Sequence, residues 1–411
     1  MTALLLVGGR DPRDEVSGGH SSYVRAHALA ARKAGFAPHL FCAGASAAEE
    51  ETDFGVVHRV FTPVRPVRQQ AAALHGPLLV RSVVGFARSH PSPHLIHGFG
   101  VWGDVAVVAA RRLGRAGIEA IPLASSYMTY AEEARSQVAG VGLTYGRSMR
   151  WRYAVRHLVR RLMIAPFERR AYLGARVVLC NYESTRRLLV AKYGKRVRTR
   201  RTLYGPPSAF ASAPGPAGLP PGLDGLAPAE APLIVSVSRH QPRKGIDVLL
   251  RALGALRDRG VPFRACLAGD GELLDEHRTL VFRLGLASSV LVAGALPSVA
   301  GLLSKGELFV LPSRREQSGS LALLEALQAG LPAIASACDG IPEDVVHGES
   351  AWLVPPGDAG ALADAIADLL ADEGQRERLS RGGREVFAAR FSAEAFSADL
   401  ACAYAELGFL S

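Results

Sequence analysis

The sequence contains few cysteines and no long apolar run. Its five cysteines lie at least 64 residues apart, so no pair has the CxxC spacing of a zinc or dithiol site, and we expect reduced, buried thiols. No apolar stretch approaches the roughly 20 residues that a membrane-spanning helix needs. The start, "MTALLLVGGRDPRDE", lacks a basic segment, and its apolar run is too short for a signal peptide. We therefore expect a cytoplasmic chain.

Several motifs that carry metals or nucleotides are also missing. The chain has no DxD pair, so a metal-bridged diphosphate would lack its usual ligand set. It has no GxSxG elbow, no GxxxxGK(S/T) loop and no HExxH pair, and its first Gly-rich segment is not a GxGxxG fingerprint. No RNA-binding or DNA-binding module is recognisable. We expect no metal, no resident cofactor and no nucleic-acid partner.

What remains is the composition of a globular protein with more than one domain. At 411 residues, with 48% hydrophobic and 21% charged residues, the chain is too long for one compact domain. The net charge of +10 is concentrated in residues 147–201, which contain 17 lysines and arginines and only two acidic residues. This segment is either a solvated arginine-rich face or a surface for peripheral contact with the inner face of a membrane, where anionic lipid attracts basic residues.

Short apolar runs alternate with amphipathic stretches in both halves of the chain. In the first half the predicted strands include "ALLLV", "APHLFCAG", "PHLIHGFG" and "ARVVLC", and "SSYVRAHALAARKAG" is a predicted helix. In the second half the strands include "LIVSVSRH", "FRACLAGDG", "ELFVLPS" and "LPAIASA". Strands that alternate with helices predict an α/β fold with parallel, doubly wound sheets.

A Pro-rich and Gly-rich segment separates the two halves. Residues 209–231 are predicted to form a linker or a long loop. We therefore predict an N-terminal α/β domain over residues 1–208 and a C-terminal one over residues 232–391. The last stretch, residues 392–411, is a predicted helix that Ser392 caps.

Two segments place glycines and cations where predicted strands end. "SGGHSSY" puts Gly18 and Gly19 at the turn into the first helix, where glycine permits close approach of a ligand and the helix amides favour an anion; a plain turn is the alternative. "SVSRHQPRKGIDVLL" puts Arg239 and Lys244 in the loop after the first strand of the second domain. These two cations can clamp a diphosphate, or they are solvated surface charges.

The segment "PSRREQSGSLALLEALQAG" has one charged residue within its apolar part, Glu325. A helix that starts near Gly319 or Ser320 would direct its first amides and its positive dipole end at a phosphate. Helical spacing places Glu325 away from the face of three leucines, Leu323, Leu324 and Leu327. A carboxylate in so apolar a run needs hydrogen-bond donors, which sugar or ribose hydroxyls or backbone amides can supply.

Together these segments resemble the retaining glycosyltransferases of family 4, which have the GT-B fold of two Rossmann-like domains facing each other across a cleft. The similarity covers nearly the whole chain. The segments that carry it are "GGHSSYVRAHALAARKAGF", "SRHQPRKGIDVLLRA", "LAGDGEL", "PSRREQSGSLALLEALQAGLPAIA" and "DGIPEDVVHGESAWLVPPGD", in the order of the family.

The resemblance implies a function and a set of site residues. It implies metal-independent transfer of a sugar, with retention, from a nucleotide-sugar donor to a hydroxyl of a small-molecule, glycan or lipid-linked acceptor. The N-terminal domain would bind the acceptor, the C-terminal domain would bind the donor, and the final helix would cross back to the N-terminal domain. Arg239 and Lys244 would hold the diphosphate, Glu325 would bind the ribose, and Glu316 would lie near the donor sugar. The remaining implied donor contacts are Gly18, Gly19, Gln317, Gly319, Ser320 and Leu321.

The chain departs from the family pattern in three places. Eight residues rather than seven separate Glu316 from Glu325, so strict register would give the first Glu position to Gln317; the distance from Pro312 favours Glu316. Phe99 stands where the family has a second histidine after His97, and we expect His97 to be a packed core residue. Asp339 replaces the first glycine of the family's GGxPE loop.

A diphosphate site would also serve functions other than glycosyl transfer. A GT-B sugar phosphorylase or a nucleotide-sugar epimerase would use the same cations. A non-enzymatic nucleotide-binding module is the more distant alternative.

Overall fold

The structure is a computed structural model that describes residues 3–13, 19–62, 72–126, 147–205, 219–316 and 318–408. Contacts divide the chain into two compact units. Unit 1 comprises Met1–Ala134, Val155–Pro207 and Arg390–Ser411, and unit 2 comprises Arg135–Ala154 and Ser208–Ala389. Each unit has an α/β architecture around one sheet, so the predicted fold class is confirmed.

Unit 1 is built on an eight-stranded sheet. Its strands are β1 (Ala3–Val7), β2 (Ala37–Gly44), β3 (Ala48–Thr52), β4 (Gly55–Phe61), β5 (His94–Phe99), β6 (Ala120–Ser126), β7 (Val177–Cys180) and β8 (Thr199–Arg201). The order across the sheet is β3-β4-β2-β1-β5-β6-β7-β8. The central strand β1 carries Leu4, Leu5, Leu6 and Val7, all fully buried, because helices cover both faces of a parallel sheet.

One strand of unit 1 corrects the expectation of a wholly parallel sheet. Strand β3 runs antiparallel to β4, with Thr52 paired to Gly55 across a two-residue turn. Its sequence "AEEET" has no apolar run and was not predicted as a strand. Three glutamates suit an edge strand, because charge on a free edge opposes pairing with another chain.

The helices of unit 1 that come before the strands of unit 2 in the sequence are α1 (Gly19–Lys33), α2 (Ala72–Arg88), α3 (Gly103–Gly114), α4 (Arg147–Gly174) and α5 (Glu183–Tyr193). The first eight residues of α4 are assigned to unit 2 and the rest to unit 1. Helix α2 packs on β2, and helix α3 packs on β5 and β6; they close the core there, with Val83, Val105 and Leu113 buried.

Helix α4 is apolar on two opposite sides. Its inner side buries Ile164, Ala171 and Tyr172. On the other side, in the part of the helix assigned to unit 1, five apolar side chains are exposed, and their spacing of three and four residues places them along one stripe. They are Val155 (37% exposed), Leu158 (56%), Val159 (53%), Leu162 (67%) and Met163 (51%). We call this set the outer stripe of α4. Trp151, one turn earlier and also exposed, belongs to unit 2. Among the helices of the described residues, none is both long and apolar enough to cross a membrane.

Unit 2 contains a six-stranded sheet in which every pairing is parallel. Its strands are β9 (Leu233–Val237), β10 (Arg264–Ala268), β11 (Val290–Gly294), β12 (Leu308–Leu311), β13 (Ala333–Ser336) and β14 (Trp352–Val354). The order is β11-β10-β9-β12-β13-β14. The strand order therefore reverses between β9 and β12, and in such sheets ligands bind beyond the carboxyl ends of the strands at that point.

The helices of unit 2 are α6 (Ile246–Asp258), α7 (Leu274–Arg283), α8 (Ala300–Lys305), α9 (Leu321–Ala329), α10 (Ile341–Asp344), α11 (Ala359–Ala371) and α12 (Glu373–Arg390). Helix α6 buries Ile246, Leu249, Leu250 and Leu253, whose spacing forms one helical face. This face fixes the helix against the sheet, and with it the loop that leads out of β9.

The last helix, α13 (Ala393–Ala405), packs in unit 1. The Ser392 hydroxyl accepts a hydrogen bond from the Ala395 amide (3.2 Å), which confirms the predicted cap. The Ser397 hydroxyl donates to the Ala30 carbonyl of α1 (2.9 Å). Cys402 on this helix is exposed, whereas the other four cysteines are buried, so the expectation of buried thiols was wrong for this residue, which lies on the outer side of α13.

Candidate functional site

Three loops of unit 2 meet at one edge of its sheet. They follow β9, β12 and β13, which are neighbours in the sheet and all parallel. The carboxyl ends of parallel neighbours lie at the same edge, so residues far apart in sequence come together there. The loops contain most of the residues that the sequence predicts for a donor site.

The loop after β9 carries the two predicted cations in different environments. Arg239 is exposed and forms no ion pair within the described residues. Lys244 ends a short 3-10 turn, Pro242–Lys244, and is only 8% exposed. The turn ends at Gly245, whose φ of +64° and whose position close to Pro312 exclude a side chain: a Cβ there would lie 2.1 Å from the Pro312 carbonyl oxygen.

The loop after β12 holds Glu316 against Lys244. The lysine Nζ lies 2.6 and 2.7 Å from the two carboxylate oxygens, and Arg243 Nη1 lies 3.3 Å from Oε2. The Ser313 hydroxyl donates to Oε1. Glu316 is 4% exposed, so this is a buried cluster of two cations and one anion. Its formal net charge is positive.

Burial and charge act against each other in this cluster. Burial lowers the pKa of Lys244 below its ordinary value, although Glu316 opposes that shift. Burial alone would raise the pKa of Glu316, but the positive charges of Lys244 and Arg243 hold it below its ordinary range. The carboxylate is therefore ionised at neutral pH, and its charge favours the protonated form of Lys244.

Backbone contacts join the first two loops into one block. The Arg243 carbonyl accepts hydrogen bonds from the Arg314 amide (2.8 Å) and the Arg315 amide (3.1 Å). The Arg314 guanidinium in turn donates both of its Nη atoms to the buried carboxylate of Asp247 at 2.6 and 2.7 Å. Asp247 lies in the first turn of α6, so this pair fixes the loops to the core.

The loop after β13 contributes Asp339. Its φ is +49°, and Oδ2 accepts a hydrogen bond from the Glu316 amide (2.7 Å). Its Oδ1 accepts from Arg315 Nη1 (3.2 Å). Asp339, which replaces the family's glycine, therefore contacts Glu316, whose spacing from Glu325 is one residue longer than the family's.

Helix α9 begins where the sequence predicts. Ser320 is its N-cap residue and makes no side-chain capping bond. The Leu324 amide donates to the Ser320 carbonyl (3.1 Å), so the amides before it have no partner inside the helix. Such a helix start, with its positive dipole end, favours a phosphate or another anion. The predicted core face is confirmed, because Leu323, Leu324 and Leu327 are buried.

Glu325 lies one turn into α9 on the face away from that core. It is half-buried, and within the described parts of the chain it accepts no hydrogen bond and forms no ion pair. Burial raises its pKa to about 7. A carboxylate that is removed from water without a partner is unfavourable, so the position is explained if a ligand supplies the missing donors.

The other predicted donor contacts lie outside the described residues, in unit 1, or next to the start of α9. Gly18 and Gln317 lie outside the described residues. Gly19 is the first residue of α1, in unit 1. Gly319 and Ser320 immediately precede α9. Where the chain is described, no group of three or more His, Cys, Asp or Glu side chains is arranged to hold a metal ion.

His97 is a core residue, as predicted. It is fully buried, with Nδ1 3.0 Å from the Tyr404 hydroxyl and Nε2 2.7 Å from the Ser125 hydroxyl. Phe99 is also fully buried and stacks on it, with ring centroids 4.7 Å apart. Burial keeps the pKa of His97 well below its ordinary value. The phenyl ring in place of a second histidine therefore completes an apolar core.

Sequence reasoning missed five residues of this site: Arg243, Asp247, Ser313, Arg314 and Arg315. Arg243 was hidden beside the predicted Lys244. The Arg314–Asp247 pair joins residues 67 positions apart, and nothing local to either residue reveals it. A buried aspartate in the first turn of a helix was the one available signal, because a charge on a core-facing position requires a partner.

Solved structures of low sequence identity show the fold. The chain is similar to sucrose-phosphate synthase from Thermosynechococcus elongatus, with a TM-score of 0.76, 23% identity and 100% of each chain covered. It is also similar to the Anabaena protein HepE in complex with UDP-glucose, with a TM-score of 0.68, 19% identity, and 99% of this chain and 100% of that chain covered. The fold is therefore that of the two-domain GT-B glycosyltransferases.

Two family models match successive parts of the sequence. The model described as Glycosyltransferase Family 4 matches residues 17–201, and the model described as Glycosyl transferases group 1 matches residues 224–386. The two matches together span most of the chain. The chain belongs to the GT-B glycosyltransferases of the family 4 type.

Curated relatives align over part of their length. Alpha-D-kanosaminyltransferase of Streptomyces kanamyceticus is 31% identical over 44% of this chain and 47% of the relative. The GDP-mannose-dependent alpha-(1-6)-phosphatidylinositol monomannoside mannosyltransferase of Mycobacterium tuberculosis (strain ATCC 25618 / H37Rv) is 32% identical over 47% of this chain and 58% of the relative. The chain spans about half the length of the curated relatives it matches.

Proposed function

We propose that the protein transfers a sugar from a nucleotide-sugar donor to a hydroxyl acceptor, with retention of configuration and without a metal ion. The observation that carries this proposal is Glu325. It is a half-buried carboxylate without a partner among the described residues, and it lies one turn beyond a helix start at which Ser320 makes no side-chain capping bond. A ribose bears adjacent hydroxyl donors and a diphosphate bears the negative charge, so a nucleoside diphosphate satisfies both features at once.

Each site residue has a role in this proposal. Arg239 and Lys244 hold the diphosphate together with the amides at the start of α9, around Gly319 to Leu321. Glu325 accepts from the ribose hydroxyls. Glu316 lies near the donor sugar and binds the ammonium group of Lys244. Gln317, Gly18 and Gly19 remain proposed contacts from the family resemblance.

The proposed chemistry needs charge stabilisation more than a protein nucleophile. The acceptor oxygen bonds to the anomeric carbon on the face from which the diphosphate leaves, the bond from that carbon to the phosphate oxygen breaks, and the acceptor proton passes to the departing phosphate. Arg239, Lys244 and the amides of α9 would take up the charge that develops on the leaving group. Such preorganised stabilisation is usually the largest catalytic term.

Two of the similar proteins guide the choice of donor. One was solved with UDP-glucose, and one is described as GDP-mannose-dependent. A thermal-shift panel of UDP, GDP, ADP and TDP sugars should identify the donor, because a ligand at 100 times its Kd adds about 2.7 kcal/mol of stability. With that donor, Arg239→Ala and Lys244→Ala should each lower turnover by a factor on the order of 10² to 10³. Full activity in both variants would refute the proposed roles.

Product analysis separates transfer from the other uses of such a site. With a labelled donor and excess chelator, glycosyl transfer should persist, with release of the nucleoside diphosphate. An epimerised donor would indicate an epimerase, and release that requires inorganic phosphate would indicate a phosphorylase. Donor binding without turnover on any acceptor would indicate a binding module. Loss of transfer on chelation, restored by a divalent cation, would contradict the metal-independent mechanism.

We further propose that unit 1 binds the acceptor and contacts the inner face of a membrane through the outer stripe of α4. Exposed apolar side chains along one helical stripe, in a segment of 17 basic and two acidic residues, suit the interface of an anionic bilayer. Each lysine or arginine near such a surface contributes about 1 kcal/mol. The positive charge also disfavours a second copy of the same face as the partner.

Vesicle sedimentation tests this contact. The full chain should sediment with vesicles that contain anionic lipid and not with zwitterionic ones, and added salt should weaken the binding. Leu158→Ser with Leu162→Ser should reduce sedimentation. The matched control is Phe282→Ser, which removes an apolar side chain that is 73% exposed in unit 2. Equal sedimentation of all three proteins, or no preference for anionic lipid, would contradict the proposal.

A further inference from the structure

Two departures from the family pattern in unit 2 meet in one contact. The spacing of Glu316 from Glu325 is one residue longer than the family's, and Asp339 stands where the family has glycine. The Glu316 amide donates to Asp339 Oδ2 at 2.7 Å. An aspartate at this position therefore holds the chain at the point where the extra residue enters.

The backbone at Asp339 is suited to glycine rather than to aspartate. Among the described residues it is the one non-glycine residue with positive φ, at +49°. Glycine would adopt this conformation without strain but would offer no acceptor to the Glu316 amide. The carboxylate therefore supplies contacts that a glycine at this position would lack.

The residue held by this contact also faces Lys244. From its anchored backbone, Glu316 directs both carboxylate oxygens to the lysine Nζ, at 2.6 and 2.7 Å. The other charged or titratable groups that act on the lysine are the Arg243 guanidinium, which repels it, and the Cys338 thiol. Glu316 is therefore the group that most strongly opposes the effect of burial on the pKa of Lys244.

We propose that Asp339 is a positioning residue for Lys244: it holds the Glu316 backbone so that the Glu316 carboxylate stays on the lysine ammonium. The link to catalysis rests on the proposed function, in which Lys244 holds the donor diphosphate. The positioning itself does not rest on it, because it can be measured without a ligand.

Lysine titration by NMR tests the positioning directly. The sequence has five lysines, so protein labelled with ¹³C-lysine gives few side-chain signals, and Lys244→Arg assigns the one of interest. Burial already lowers the pKa of Lys244, and weakening its contact with Glu316 removes the opposing charge. In Asp339→Gly and in Glu316→Gln, the proton affinity of Lys244 should fall by about tenfold or more. Asp339→Asn, which keeps one acceptor oxygen, should fall between wild type and Asp339→Gly.

Two further variants separate this role from a general structural one. Arg315→Ala removes the Arg315 contact of Asp339 and leaves the Glu316 amide bond, so Lys244 should titrate as in wild type. The double variant Asp339→Gly with Glu316→Gln should match Glu316→Gln alone, because Asp339 acts through Glu316. A wild-type titration in Asp339→Gly, or an additive fall in the double variant, would overturn the proposal. Asp339→Gly relieves the positive φ and is expected to fold.

Calorimetry with UDP, GDP, ADP and TDP connects the contact to the donor site. For the nucleotides that bind wild type, affinity should fall by about tenfold in Asp339→Gly and stay unchanged in Arg315→Ala. Equal affinity of Asp339→Gly and wild type would refute a role for Asp339 in donor binding. If none of the four binds wild type, the proposed function fails, while the lysine titration still decides whether Asp339 positions Lys244.

Discussion

Glu325 should make the free protein less stable as the pH rises. Its pKa in the folded chain is raised by burial from 4.5 to about 7. Between these values the unfolded chain loses the proton while the folded chain keeps it, so the unfolded state gains stability with each increment of pH. The shift corresponds to a loss of about 3 kcal/mol, because each pH unit is worth about 1.36 kcal/mol. The loss begins near pH 4.5 and is complete above pH 7.

Glu325→Gln should remove this loss, since an amide does not ionise. We expect the free energy of unfolding of the variant, relative to wild type, to rise by about 3 kcal/mol from pH 4.5 to pH 8. Urea unfolding of the full chain without nucleotide, at several pH values across this range, measures the difference. The matched control is Glu377→Gln, an exposed glutamate on α12, which should leave the profile of wild type unchanged.

The same variant should weaken donor binding, because Glu325 is the proposed acceptor for the ribose hydroxyls. A gain in stability at pH 8 together with a loss of nucleotide affinity is the combined result expected of a residue retained for a ligand. A difference between variant and wild type that does not change with pH would refute the assignment of an unpartnered, buried carboxylate. Undiminished nucleotide affinity would refute its role at the ribose.

Three smaller predictions follow from other parts of the chain. Gly245→Ala should destabilise the protein by more than about 2 kcal/mol, because its Cβ would meet the Pro312 carbonyl. Gly254→Ala lies within α6, where a Cβ would have no atom nearer than 3.9 Å, and should stabilise the protein by about 0.5 to 1 kcal/mol. Melting temperatures test both variants, and equal shifts would contradict the strained turn at Gly245. His97 stays neutral in the folded chain while the unfolded chain binds its proton below about pH 6.5, so acid should destabilise the protein. His97→Gln should lower the melting temperature at pH 8, but the melting temperature of the variant should then fall less than that of wild type below pH 6.5. A maleimide should label one thiol of the native protein and none in Cys402→Ser, and labelling of the four other cysteines at the same rate would contradict their burial.

Local pattern was sufficient where a residue's surroundings come from its own element. The leucine face of α9, its start at Ser320 and the cap at Ser392 were predicted because helical spacing and capping depend on residues within a few positions. The β3 strand was not predicted, because its three glutamates form no apolar alternation and only its pairing to β4 makes it a strand. The exposure of Cys402 likewise depends on which side of α13 faces the rest of unit 1.

The sequence alone determined that cations follow the first strand of the second half and that a lone carboxylate lies beyond a helix start near Ser320. Both follow from the order of residues along the chain. Only the tertiary structure decided that Glu316 holds Lys244, 72 residues away, and that Asp339 holds Glu316. The physical reason is that the partners of a buried charge are set by which strand ends are neighbours in the sheet, and that neighbourhood is formed by β9, β12 and β13.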